Sequence, residues 1–329
     1  MFSTGVQRLR AAAAIAVATA LVLTGCGGKE GSSDTVKIGG VTIVSHPSLD
    51  AIWAGFKEGM KEAGYEEGKN VEYDFQNPQG DQSTLNSIAT TFASSDKDLF
   101  VAIATPPAQA LAQAITNKPV LFTGVTDPVA AGLVKDVKAP GGNVTGASDA
   151  NPAKDVLQLI KDIKPDTKTV GIVYTSSEVN SEVQTKQAQE AAKSMGLEIK
   201  TATVTNSNEV SQAAASLDVD AYYVGNDNNV VSAIEGLIQA AEKKKAIVVT
   251  SDADSVERGA AAALSIDYHQ QGKDTAKLAV QVLKDGKKPG EIPVAYQEKL
   301  ALVVNEKAAE KQGTKIPEAV LSRDPKKVG

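Results

Sequence analysis

Cysteine occurs once in 329 residues and histidine twice. A single thiol excludes an intramolecular disulfide framework and any metal site built on several thiolates. Two imidazoles argue against a histidine-rich metal or catalytic centre. Aromatic residues make up 4%, so any ring beside a binding site carries weight. Basic residues are in deficit, 34 Lys and Arg against 40 Asp and Glu, for a net charge of −6. That balance excludes the basic footprint of a nucleic-acid binder. Neither a GxSxG elbow nor a GxGxxG loop is present. Gly64–Asn70 superficially resembles a phosphate loop, but its spacing is one residue short and Asn70 stands where Ser or Thr is needed. A helix end followed by a turn explains it better. No catalytic residues are expected, and the chain reads as a non-enzyme without cofactor or metal. What is present is the composition of a folded protein, 42% apolar and 22% charged, with length for roughly two domains.

The long apolar runs reduce to one. Residues 11–23 are unbroken apolar sequence behind Arg8 and Arg10. At ~1.5 Å per residue this run falls short of the ~30 Å hydrocarbon core, so it reads as a signal-peptide segment and not a membrane span. It ends in Leu23-Thr24-Gly25-Cys26, which resembles the bacterial lipobox. The resemblance implies cleavage after residue 25 and lipidation of Cys26. Residues 26–35 then read as a lipidated polar tether. The expected product is a soluble body held by lipid, palmitate included, at the outer face of the cytoplasmic membrane.

From Val36 onward, short apolar strands alternate with amphipathic helices. Val36–Val44 reads as a strand, and Leu49, Ile52, Trp53, Phe56 and Met60 repeat on one helix face. Strands at Val71–Phe75, Leu99–Ala104 and Val120–Val125 follow, with helices capped at Asp81 and opened by Pro106-Pro107. Pro140-Gly141-Gly142-Asn143 interrupts the series, and Val144–Ser148 looks like a connector. The alternation restarts with strands at Thr169–Tyr174, Glu198–Val204, Ala221–Gly225, Ala246–Thr250 and Ala261–Ile266. A helix over about Val230–Lys243 and a last strand over about Val294–Val304 are also predicted. The fold class is α/β: two Rossmann-like lobes, each a parallel sheet flanked by helices.

The carboxyl ends of these strands, where such folds bind ligands, are loaded with short polar residues. They include Ser45, His46, Thr105, Thr126, Asp127, Ser148, Tyr174, Ser176, Asn226, Asp227, Asn228, Ser251, Asp252 and Asp267. Helix N-termini there suit a carboxylate, and the aspartates suit an ammonium group, so together they describe a site for a zwitterion. Ser45, Thr105, Thr126 and Ser148 are assigned to the carboxylate; Asp127, Asp252 or Asp267 to the ammonium. Capping of the local helix competes with ligand binding for every one of these residues. Trp53, and the Tyr222–Tyr223 pair, are expected in the core; Tyr174 and Tyr268 could supply a ring.

His46-Pro47-Ser48-Leu49-Asp50, Glu62-Ala63-Gly64-Tyr65, Gln79-Gly80-Asp81-Gln82, Phe122–Val129, Pro140–Gly146, Ser176–Ser181, Asp227-Asn228 and Ile266-Asp267-Tyr268 resemble the substrate-binding lipoproteins of ABC importers. The resemblance is to the subgroup that binds tryptophan or related aromatic amino acids, and it covers about residues 36–320. It implies a periplasmic-binding-protein type I fold with hinge strands. Lobe 1 would comprise 36–146 plus 267–292, and lobe 2 147–266 plus 293–329. It also implies Asp267 at a crossing strand as the amine partner, capture of an aromatic amino acid by hinge closure, a monomeric body, and an ABC permease with its ATPase as partners. The alternative is a sensor lipoprotein for another small molecule (other amino acid, purine or sugar) without transport. Gly225-Asn226 stands where the family often has Pro-Thr, and His269 where a second Tyr often follows Tyr268.

Overall fold

A computed structural model describes residues 35–329. The leader, the lipobox with Cys26 and nearly all of the tether lie outside the described residues. Among these residues no helix is long and apolar enough to cross a membrane.

The first sheet has six parallel strands. In chain order these are β1 (Val36–Val41), β2 (Val71–Gln76), β3 (Leu99–Ile103), β4 (Val120–Val125) and β5 (Val144–Ser148), with β11 (Ala295–Tyr296) returning much later. Their spatial order is β11-β5-β4-β3-β1-β2. The helices α1 (Pro47–Glu62), α2 (Gln82–Ala93) and α3 (Thr105–Ala114) connect the early strands. Every residue of β3, β4 and β5 is buried, whereas the edge strand β2 mixes buried and exposed positions. Continuous apolar runs such as Leu99-Phe100-Val101 are what a parallel strand covered on both faces requires.

The second lobe runs through α4 (Ala153–Ile163), β6 (Thr169–Thr175), α5 (Val179–Met195), β7 (Glu198–Val204), α6 (Val210–Ser216) and β8 (Ala221–Val224). It continues with α7 (Asn228–Ser232), α8 (Ile234–Lys244), β9 (Ile247–Thr250), α9 (Asp254–Glu257) and β10 (Ala262–Ser265). The chain then returns to the first lobe as α10 (Tyr268–Leu283) and β11. It ends in the second lobe as β12 (Ala301–Val304), α11 (Glu306–Lys311), α12 (Glu318–Leu321) and β13 (Lys326–Lys327). The second sheet is ordered β13-β12-β10-β9-β8-β6-β7, parallel except for the β10–β12 pair. Alternate residues feed separate cores on its two faces. Ile172, Tyr223, Ile247 and Val249 pack on one side; Val173, Tyr222, Val224 and Val248 pack on the other. The Tyr222 hydroxyl stays satisfied in its core by donating to the carbonyls of Ala214 and Leu217.

Three segments cross between the sheets: Asp149–Pro152, Ile266–Asp267 and Gln297–Leu300. Two of them are clamped together. Asp267 N–H donates to Gln297 Oε1 at 3.0 Å, and Gln297 Nε2 donates to the Asp267 carbonyl at 2.7 Å. The first crossing is tied to lobe 2 by Asn151 Nδ2, which donates to the Leu264 carbonyl at 2.5 Å.

The structure shifts several boundaries. Ala147 and Ser148 pair with β4 and with Ala295 and Tyr296, so 147–148 and 295–296 belong to the first sheet and not to lobe 2. The single strand expected over Val294–Val304 is two strands in different sheets, because an apolar run carries no mark of the sheet it joins. The strand expected to reach Val44 stops at Val41, which frees Thr42–Ser45 as a loop. The helix expected over Val230–Lys243 breaks at Ala233, whose φ of −116° and ψ of 29° are not helical, although the apolar spacing continues across the break. Trp53 is half-buried and not in the deep core. It stacks on Phe75 at 4.5 Å and on Phe56 at 5.4 Å between ring centroids.

Very close packing joins α1 to α10. A Cβ on Gly55 would sit 2.0 Å from the His269 carbonyl oxygen, and one on Gly272 would sit 2.0 Å from that of Ile52. On Gly59 it would meet the Ala276 Cβ at 2.7 Å. Backbone atoms fill the space that a side chain would need. Gly272→Ala should therefore lower unfolding free energy by about 1–3 kcal/mol or more through overpacking, read by urea denaturation, with Gly59→Ala milder because its nearest contact is 2.7 Å and not 2.0 Å.

Candidate functional site

The carboxyl ends of both sheets face each other across a small, largely closed cleft between the lobes. Lobe 1 contributes His46, Ser48 and Leu49 from the start of α1, Thr105 from the start of α3, Gly124 from β4, and Tyr268 from the start of α10. Asp149 enters from the first crossing. Lobe 2 contributes Asn180, Asn226, Asp227, Asn228, Val231 and Asp252.

The α3 end is built under strain. Ala104 has φ 82° and ψ 163°, a region that side-chain-bearing residues rarely occupy. Its N–H is held by the Thr123 carbonyl at 2.9 Å. The kink starts α3 at Thr105, whose buried Oγ1 has no hydrogen-bond partner in the protein. Pro106 and Pro107 follow, so two positions of the first turn offer no N–H of their own.

At the α1 end, Pro47 opens the helix and the ring of His46 is buried, its Nδ1 unpartnered. Burial, with Arg258 adding to it, pushes the His46 pKa down to about 3. The imidazole is therefore neutral at physiological pH and offers a flat, uncharged ring.

Asp149 is the central carboxylate. It is 3% exposed. Oδ1 accepts from Thr126 Oγ1 at 3.1 Å; Oδ2 accepts from Asn226 Nδ2 at 2.8 Å and from the Tyr268 hydroxyl at 3.3 Å. All three donors are uncharged, and burial outweighs them, lifting its pKa to about 6. Tyr268 in turn is held well above the ordinary phenol value by burial and by the Asp149 charge.

The amide orientations of two asparagines follow from their neighbours. Asn226 Nδ2 faces two acceptors, the Asp149 carboxylate and carbonyl. Asn180 Nδ2 faces Glu178 Oε2 and the Asn226 carbonyl. Each Nδ2 is turned toward these oxygens, and among the described residues both Oδ1 atoms lack a partner.

The other acids serve the scaffold. Asp227 accepts from Thr175 N and Oγ1, Ser181 Oγ and Val230 N, tying β6 to α7. Asp252 accepts from Ser255 N and Oγ; burial raises its pKa. Glu178, buried beside Asp227, is pushed up to about 8 by burial and then by that neighbouring charge, against hydrogen bonds from Asn180 and Asn228.

Of the expected site residues, His46, Thr105, Asn226, Asp227, Asn228 and Asp252 meet at this cavity. The others are placed differently. Ser45 is exposed and bonds to Asp50. Asp127 caps the turn at Val129 and Ala130. Thr126 and Ser148 lie behind Asp149, Thr126 holding its carboxylate and Ser148 donating to the Thr126 carbonyl. Ser251 donates to Tyr223, Ser176 is exposed, and Tyr174 borders a separate pocket with Gln184 and Tyr223. Asp267 is exposed and caps α10 through Gln270 N at 2.9 Å, so it does not reach the cavity. The carboxylate that a crossing segment brings to the cavity is that of Asp149, one residue beyond the expected Ser148. Ser48, Leu49, Gly124 and Asn180 fall within the segments that resemble the family, and Tyr268 is among the rings expected near a ligand; Val231 carries no signal that sets it apart from a packing residue.

The chain matches the family described as ABC transporter substrate binding protein over residues 37–328. It is 40% identical over 298 residues to the tyrosine-binding protein of Clostridioides difficile, covering 87% of this chain and 86% of that one. It superposes on a Streptococcus pneumonia ABC domain in complex with L-Trp with TM-score 0.86 and 40% identity, over 90% of this chain and 100% of that chain. Against a ligand-free, open substrate-binding protein with adhesive properties from Clostridium difficile the TM-score is 0.68 at 39% identity, over 89% and 99%. At matched identity and coverage, that contrast means the two lobes here are set as in the ligand-bound relative. Sequence match, bilobal architecture and interlobe cavity agree, and the chain belongs to the ABC transporter substrate-binding protein family.

Proposed function

We propose that the protein captures a zwitterionic aromatic amino acid, tyrosine or tryptophan, between its lobes and delivers it to an ABC permease. The observation that carries this reading is Asp149: a buried carboxylate at the cavity with three neutral donors and no cationic partner among the described residues. A ligand ammonium would supply the missing charge, with the free carbonyl oxygens of Asn180 and Asn226 accepting its remaining protons. The α3 N-terminus and the Thr105 hydroxyl would receive the ligand carboxylate. The neutral His46 ring, Leu49 and Val231 would border the ligand ring. His46, Thr105, Asn226 and Asn228 keep their assignment to ligand contact; Asp149 replaces Asp267 as amine partner. The relatives named for tyrosine and for L-Trp support the ligand class. The body is proposed to be monomeric, without enzymatic activity of its own, and lipid-anchored through Cys26 outside the cytoplasmic membrane.

Asp149→Asn should weaken L-tyrosine or L-tryptophan binding by about 2–5 kcal/mol in titration calorimetry, while leaving the ligand-free protein as stable or more so, since a buried charge is removed. Retained affinity would reassign the amine site.

The pH dependence has a definite sign. Ligand ammonium favours ionised Asp149, so affinity should be level above about pH 7 and fall as pH drops through about 6, toward about tenfold per unit. For folding alone the sign reverses: with its folded pKa raised above the unfolded value, Asp149 costs the ligand-free protein stability as pH rises through about 6. Calorimetry and thermal unfolding between pH 4.5 and 8 read the two effects separately.

Cys26→Ser, expressed in a bacterium with lipoprotein processing, should move the protein from the membrane fraction to the soluble one; continued membrane retention would refute the lipid anchor.

A further inference from the structure

One short polar contact joins the lobes through a residue outside the cavity lining. Ser48, in the first turn of α1, donates its hydroxyl to Asp254 Oδ2 at 2.7 Å and lies 3.5 Å from Asp252 Oδ1. Both carboxylates belong to lobe 2, and Asp254 does not line the cavity. The 16-residue α1 has no side-chain cap: His46 makes no capping hydrogen bond and Pro47 has no N–H to give. Its own lobe places one acid in the first turn, Asp50, and two aspartates of the opposite lobe also come to the helix start. A competing cation is nearby but committed. Arg258 donates to both carboxylate oxygens of Glu235 and to the carbonyls of Val231 and Ser232.

We propose that Ser48 and Asp254 form an interlobe latch, in which a lobe 2 carboxylate accepts from a hydroxyl in the first turn of α1, so that closure makes this bond and opening breaks it. The latch acts on the ligand through the lobes and not by contact; Asp254 is a positioning residue. It rests on the capture reading in assuming that ligand is retained by closure. The physical consequence is a separation of rates. A contact made only in the closed form slows escape and leaves first encounter unaffected.

The test compares Asp254→Ala, Asp254→Asn, Ser48→Ala and the Ser48→Ala/Asp254→Ala double variant. L-Tryptophan or L-tyrosine release is followed by stopped-flow, and the interlobe distance distribution by paired spin labels. For Asp254→Ala, release should speed up about tenfold, the worth of a hydrogen bond to a charged acceptor, with the association rate within about twofold. Asp254→Asn should fall between, because its carbonyl still accepts from Ser48 but brings no charge to the helix end. Ser48 also lines the cavity, so the decisive quantity is coupling: the double variant should release ligand no faster than the faster single variant. Unchanged release in Asp254→Ala, or additive effects in the double variant, would overturn the latch. If Asp254→Ala does not fold, Asp254→Asn and Ser48→Ala carry the same comparison. If neither amino acid binds the unaltered protein, the ligand assignment fails, and the latch is then judged alone by loss of the short interlobe distance in the ligand-free variants.

Discussion

The approach of α1 to α10, backbone against backbone at Gly55 and Gly272, is the constraint on which the binding face of lobe 1 depends. The two helices are far apart in sequence, and α10 arrives only after the chain has built most of lobe 2. Yet His46, Ser48 and Leu49 at the start of one, and Tyr268 at the start of the other, form one wall of the cavity. Their relative height is set by glycines that allow carbonyl oxygens to fill the contact. Because Tyr268 also donates to Asp149, the same packing fixes the orientation of the central carboxylate. A wider helix spacing would leave each side chain in place on its own helix and still dismantle the site.

The site itself follows a simple electrostatic logic. Burying a carboxylate with only neutral donors is costly, and the protein adds no lysine or arginine to offset it. Arg258, the cation that perturbs His46, is spent on Glu235 and two carbonyls. The unpartnered polar atoms that line the cavity with Asp149 are amide oxygens, the Thr105 hydroxyl and an uncharged imidazole, while the Asp227 and Asp252 carboxylates at the cavity are taken up by bonds of their own lobe. Such a lining rejects a second anion and welcomes a cationic group carrying several protons. The strained Ala104 serves the opposite pole by starting α3 where its first turn can meet an acid.

Much of this was legible in the sequence because periodicity reports burial. Strands such as Leu99–Ile103 are apolar throughout, and Asp81 caps α2 through Thr84 N as its position suggested. Polar strand ends located the cleft, since ligands of such folds bind at the carboxyl ends of the strands. Assignment within those clusters was less legible. Asp127, Asp149, Asp227, Asp252 and Asp267 all follow strands or open helices, and sequence does not separate a cap from a ligand contact. Only the three-dimensional partners do so. Asp227 collects four donors and is consumed by them, whereas Asp267 is turned to solvent by a hinge clamp with Gln297. Crossing points were hidden for a related reason. Ala295–Tyr296 and Ala301–Val304 look alike in composition but pair in different sheets.

The threefold traffic between lobes orders assembly in time. A ribosome delivers residues from the amino end, and compact units ordinarily settle as they emerge. Here the first sheet lacks its β11 edge, and α1 lacks its covering helix, until Tyr296 has been made. The second lobe likewise waits for β12 and β13. Neither sheet has all its strands until the chain has passed Tyr296, so neither half is complete as an independent early domain.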